Sequence, residues 1–329
     1  MEERQEKKLT IYEYEEKHST LANDKKASTF LKLVIAAIGI LVISALFSLF
    51  KDVYEINKHV GYGVGIICIV IFILLFIVPV AKIMNKPKFE VNATEYSARK
   101  MQRHNDKIRT ILADKIIDAH LNTEGLAWYS SEHVEGLVKA RQDKDKKALK
   151  DALNVTYKTD VKKVGKEIIT KASVKSGLYS AVSQQSTTDS LIVTAVNLQM
   201  IKDIVYLYGF RPSESKLLKI FAKVMSSSLA SYGIGNVKFG NTVTSLLPFA
   251  KTIPILGSAI SVLVDSSVQG LTNATLTAII GTNTIKYLMK EYNLQNILDS
   301  VELTPSQEEF NATCEIIKKE LSLNKVKTA

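Results

Sequence analysis

The sequence is poor in cysteine. It has only Cys68, inside an apolar block, and Cys314, near the C-terminal end, a pattern that speaks against a disulfide framework. It lacks a GxxxxGK[ST] phosphate loop and a GxSxG elbow, which argues against a nucleotide hydrolase or a serine hydrolase built on those motifs. Asn85-Lys86-Pro87-Lys88 lacks the carboxylate that a guanine-specificity loop needs. Histidine is scarce and scattered. His120 and Glu124 stand four apart on an expected helix, but two ligands fall short of the three or four a metal site requires. His133 has Glu132 beside it, and adjacent helical residues do not share a face. With no converging reactive groups, the chain reads as non-enzymatic, with no catalytic, cofactor-binding or metal residues. Strand-like alternation is scarce, so the expected class is all-α.

Charge-free stretches are what the sequence has in abundance. Phe30 to Phe50 carries only Lys32, at one end, where a lysine stem can snorkel to headgroups. Val60 to Val80 has no charge at all. Each block of 21 residues, at about 1.5 Å per residue, matches an apolar bilayer core of about 30 Å. Neither block has the polar face of a soluble helix. The connection Lys51 to His59 is too short for a domain, so the two form an antiparallel transmembrane hairpin over 30–81. Tyr54 and Tyr62 fit an interfacial belt, and Gly61 with Gly65 permits close helix approach. The first apolar block follows an acidic, polar segment, 1–29, that does not read as a signal peptide. Lysines outnumber those of the short loop on both outer flanks: Lys17, Lys25 and Lys26 before, Lys82, Lys86 and Lys88 after, against Lys51 and Lys58. The positive-inside rule then places both termini in the cytoplasm, in a multi-pass protein of the cell (inner or plasma) membrane.

Beyond Lys86-Pro87-Lys88 the pattern becomes helical and basic, a linker region over 82–186. Lys139 to Lys175 holds twelve basic and five acidic residues. There Val161, Val164, Ile168 and Ala172 are expected to share one helix face, with Lys162, Lys163, Lys166 and Lys171 on the rest. A basic amphipathic helix suits contact with an anionic membrane face, although an ordinary solvated face has the same look. Nucleic acid is disfavoured, because the lysines come without interleaved aromatics or a recognisable module. From Ser176 to Ile201 the only charge is Asp189, and the helix is expected to run to Tyr208, stopped by Gly209 and Pro212. This segment reads either as a third membrane helix or as a domain core, with Asp189, Asn197 and Gln199 favouring the core. Helices are expected over 213–232 and 271–292, with a glycine loop near 233–240. An apolar stretch interrupted by Pro254 and Gly257 covers 248–264. Thr304-Pro305-Ser306-Gln307 forms a capping box that opens a last helix in the segment 294–329.

Asp189, the apolar run after it, Asn197-Leu198, and Leu207-Tyr208-Gly209 resemble the core motif of the YcjF-like bacterial membrane family, the domain of unknown function 697. Gln269-Gly270, Thr277 and Gly281 supply a second matching stretch, so 187–293 is taken as the family's helical domain. The arginine that family members carry just before Asn-Leu is Val196 here. The resemblance implies a helical domain found with, or encoded beside, Era-like GTPases, and it implies no catalytic residue. Its motif residues are expected to serve structure or partner contact. The function expected is a membrane-anchored, non-enzymatic adaptor or scaffold, working with membrane lipids and a separate P-loop GTPase. A channel or transporter component, or a self-assembling homo-oligomer, is the alternative.

Overall fold

The computed structural model describes residues 13–14, 21–92, 97–122, 128–182, 186–231 and 268–301. Its regular elements are all helical, and no strand occurs among the described residues. The expected stretches 233–240 and 248–264, the helix after Thr304, and Glu124 lie outside them.

The hairpin helices are longer than their apolar cores. α1 runs Leu21–Ile56 and α2 Lys58–Phe72. A π-helical turn, Ile73–Ile77, carries α2 into α3, Val78–Met84. The expected nine-residue connection shrinks to Asn57. Residues 51–56 suit a helix, with Lys51 and Glu55 paired at 3.6 Å one turn apart. Asn57 then breaks it with an extended φ of −151° and caps α2, accepting from the backbone N–H groups of His59 and Val60 at 3.0 and 3.3 Å. The π turn has a cause too. Pro79 lacks an N–H for the Leu75 carbonyl, and the wider turn before it absorbs the mismatch.

Glycine sets how closely the two helices approach. A Cβ on Gly61 would stand 2.7 Å from the Tyr54 Cα, and one on Gly65 3.2 Å from the Phe50 ring. Further down, Phe76 lies against Gly39. The outward faces are apolar and open: Leu33, Ile40 and Ile66 are 60, 67 and 66% exposed. A band of this kind belongs against lipid rather than water. Among the described residues, three helices, Lys26–Ile56, Lys58–Met84 and Thr187–Tyr208, are long and apolar enough to cross a membrane. The chain is a helical membrane protein.

A charged lobe follows the hairpin, made of α4 (Ala98–Asn122), α5 (Ser131–Gln142) and α6 (Lys146–Thr156). A second π turn, Tyr157–Val161, leads into α7, Lys162–Val182. Then come α8 (Ser186–Tyr208), α9 (Glu214–Ser231), which falls within the helix expected over 213–232, and α10 (Val268–Asp299), which extends the one expected over 271–292 at both ends. α7 packs along α10, α8 lies against both, and α9 returns beside α8. α1 packs on α8 and α9, and α3 on α8. One core therefore runs from Leu31 and Ile38 in the hairpin, through Leu198 and Phe221, to Leu288 and Tyr292 in α10. The two readings of 188–208 meet in α8, which is at once apolar enough to span and central to the bundle.

The hairpin is also clamped where the chain leaves it. The Arg211 N–H donates to the Pro87 carbonyl at 2.8 Å, and Lys88 pairs with Glu214 at 2.8 Å. Phe89 meets Phe210 and Tyr292 with ring centroids 4.8 and 6.0 Å apart. The Lys86 ammonium lies 3.6 Å from the centre of the Tyr206 ring. The Tyr14 hydroxyl donates to the Val91 carbonyl at 2.7 Å.

Candidate functional site

Small residues build the contact between α7 and α10. α7 turns Gly165, Ile169, Ser173, Ser176, Gly177 and Ser180 inward, recurring every three or four residues along one face. A Cβ on Gly270 would stand 2.7 Å from the Gly177 carbonyl oxygen and 3.0 Å from the Ala181 Cβ. One on Gly281 would meet Ile169 at 2.7 Å and the Met200 sulfur at 2.9 Å. Asn273 bridges the pair, donating to the Ser180 hydroxyl at 2.9 Å, while Ser176 donates to the Asn273 carbonyl at 3.5 Å. Close backbones, small side chains and hydrogen bonds between helices are how helices associate in lipid, where burying apolar surface gains nothing.

The expected face of α7 is therefore rotated. Val161 is buried, but Val164, Ile168 and Ala172 are only half-buried. They flank the small-residue face rather than form the core. Lys162, Lys163, Lys166 and Lys171 are exposed, as a basic surface requires.

α8 carries the polar residues of the motif. Asp189 is buried in its first turn, where the helix dipole favours a carboxylate. Asn197 is fully buried and donates to the Val193 carbonyl at 2.8 Å. Its Oδ1, the Ser173 hydroxyl and the Thr277 hydroxyl, all buried, have no hydrogen-bond partner among the described residues. Leu198 is fully buried in the core. Thr194 meets Ser228 of α9 oxygen to oxygen at 2.5 Å, a polar link absent from the sequence reading.

Tyr208 and Gly209 end α8 inside an aromatic knot. Tyr157 donates its hydroxyl to the Tyr208 carbonyl at 2.7 Å, and the two rings stack at 5.7 Å. Burial pushes the Tyr157 and Tyr292 phenols well above their usual range, so both remain neutral. Gly209 has φ of +76°, and a Cβ there would run into the Leu112 side chain. Its N–H donates back to the Val205 and Tyr206 carbonyls at 3.0 and 3.2 Å, ending the helix. Below the knot, Glu291 is buried and pairs with Lys216 at 2.6 Å, while also accepting from the Ser213 N–H at 3.1 Å. Gln269 lies in the first turn of α10.

The motif residues thus gather in the α7–α8–α10 bundle. Gly270 and Gly281 make the α7–α10 contact, Thr277 is buried one turn before Gly281, Asp189, Asn197 and Leu198 lie in the interior of α8, and Tyr208 with Gly209 forms its end. The four lysines are exposed on α7, away from its small-residue face. Sequence reasoning missed the partner face of α7 and the Thr194–Ser228 link. The three-and-four spacing of Gly165, Ser173, Ser176 and Ser180 was the available signal. The arrangement offers close packing and hydrogen bonds between helices.

Fold and site together define a helical membrane protein whose bundle is docked on a hairpin. Residues 145–301 match the family described as a domain of unknown function, DUF697. The match starts at Asp145, the residue that caps α6. It therefore takes in α6 and α7 from the 82–186 segment as well as the 187–293 domain. No curated protein and no solved structure matches the chain.

Proposed function

We propose that this protein is a multi-pass membrane scaffold. In this reading it has no enzymatic activity of its own, both termini are cytoplasmic, and it sits in the inner or plasma membrane. The observation that carries the reading is the single core shared by the hairpin and the DUF697 bundle, from Leu31 to Tyr292. A domain on a flexible tether would need no such packing. A domain held as one body with its anchor presents a fixed surface at the membrane, as a docking platform requires. The charged lobe α4–α6 and the lysines of α7 form that surface, and an Era-like P-loop GTPase acting in trans is the partner the family resemblance suggests. The test is purification from native membranes in mild detergent, with identification of what co-purifies. A GTPase retained through salt washes supports the scaffold. A protein that emerges alone counts against it.

A second reading is a channel or transporter component. What favours it is the buried polar set inside the bundle, Asp189, Thr194, Asn197 and Thr277. Ionisable residues at membrane depth often mark a transport path. Cysteine substitutions at Asn197 and Thr277 separate the two readings: labelling by a small aqueous thiol reagent supports a path, and protection supports the scaffold.

A further inference from the structure

α2, α7 and α8 do not close on one another completely. Between them lies a groove of about 560 Å³, walled by Ile71 and Leu75 from the hairpin, Ile168 from α7, and Leu191, Ile192 and Val196 from α8. That volume is typical of small-ligand sites, which run about 300–1,000 Å³. Its lining is overwhelmingly apolar. The hairpin wall is continuous with side chains that are open to the surroundings, among them Ile67 and Leu74 at 56 and 57% exposure. A groove that opens onto such a surface opens onto acyl chains.

The polar groups at its edge have one sign left over. Lys171 and Lys175 stand one turn apart on α7, both exposed and both lining the groove. Neither has an ion pair among the described residues. The acid at the edge, Asp203, is already engaged, by Lys202 at 3.0 Å and by the Gln199 amide at 3.2 and 3.3 Å. Two lysines beside an apolar slot form a complementary seat for a molecule with an anionic head and a hydrocarbon tail.

We infer that the α2–α7–α8 groove binds an anionic phospholipid, with an acyl chain laid along Leu75, Ile168 and Ile192 and the phosphate held by Lys171 and Lys175. The lipid would then fill the gap between the hairpin and the bundle. The inference rests on the membrane placement proposed above but not on any protein partner.

The full-length protein in phosphatidylcholine nanodiscs, with and without a photoactivatable phosphatidylglycerol, supplies the test. Crosslinking is expected on α8 peptides that contain Leu191 to Val196, with phosphatidylglycerol favoured over a phosphatidylcholine analogue. K171Q/K175Q should lower that crosslinking about thirtyfold, the equivalent of roughly 1 kcal/mol for each of the two lysines near an anionic lipid surface. K162Q/K163Q makes the same charge change on α7 outside the groove and should leave it unchanged. Ala195→Trp, which fills the groove, should abolish it. Equal loss in the two lysine pairs, equal labelling by the two lipids, or full labelling in Ala195→Trp would each overturn the site. Release of the wild-type chain from membranes by carbonate would instead sink the membrane placement. A chain that stays embedded but shows no selective crosslink would sink the lipid site alone.

Discussion

At the scale of single residues, two positions translate local physics into measurable behaviour. Gly209 combines a left-handed φ with a Cβ direction that points into Leu112. Gly209→Ala should destabilise the protein by about 1–3 kcal/mol, the cost of holding an L-residue in that region. Thermal unfolding in detergent would register the loss, and an unchanged midpoint would mean that α8 ends differently. Glu214 supplies a pH dependence. Burial pushes its carboxyl up, but hydrogen bonds from Lys88 and Arg211 outweigh that and hold it below the ordinary glutamate value. Its folded pKa is thus lower than its unfolded one. The stabilisation is present above the unfolded pKa and is lost as the pH falls through the folded one. Glu214→Gln should flatten the fall in melting temperature on the acid side and lower the melting temperature at neutral pH. A variant as acid-sensitive as the wild type would show that this pair does not couple to folding.

At the scale of elements, legibility depended on whether a segment's meaning is carried within itself. The hairpin was readable because Val60 to Val80 has no charge to turn toward water, and no partner is needed to see that. Asn57 was not read as the turn, because the choice between a loop and two longer helices is decided by its cap and the fit of Gly61 on Tyr54. On α7, the apolar residues Val164, Ile168 and Ala172 suggested the buried face, yet Gly165, Ser173, Ser176 and Ser180 occupy it. A stripe of small polar residues acquires its meaning only when Gly270 and Gly281 stand opposite. The family motif was legible as a set of residues but not as a contact, since its two halves lie on α8 and α10, far apart in sequence. Gly281→Val tests the contact. The added methyl groups must displace Ile169 and Met200, and overpacking of this kind costs about 1–3 kcal/mol. Loss of stability without loss of membrane insertion is the expected result. A stable Gly281→Val protein would mean that α7 and α10 are not closely packed.

At the scale of the whole molecule, charge is distributed along the bundle rather than around it. α7 has no charge after Lys175, α9 none after Lys223, and α10 none before Lys286. The helices run antiparallel in pairs, with Gly281 of α10 against Ile169 of α7 and Thr194 of α8 against Ser228 of α9. The charge-free halves of α7, α9 and α10 therefore gather at one end, which also holds the buried Asp189 of α8, and the clusters around Glu214, Glu291 and Arg109 lie at the other. The charge-free end lies beside the hairpin, since Ile71 and Leu75 share a groove with Leu191 and Ile192. The bundle thus behaves as an amphipathic body, one end suited to lipid and the other to water. The hairpin completes it by covering α8 and α9. Removing residues 1–85 should therefore expose the apolar faces around Leu198, Phe221 and Val224 together with the charge-free end. The remaining fragment is expected to aggregate when expressed without detergent and to regain a single elution peak on size exclusion in a mild one. A monodisperse fragment in plain buffer would show instead that the bundle closes its own core. The hairpin would then be a simple anchor, and a fixed platform would lose its structural basis.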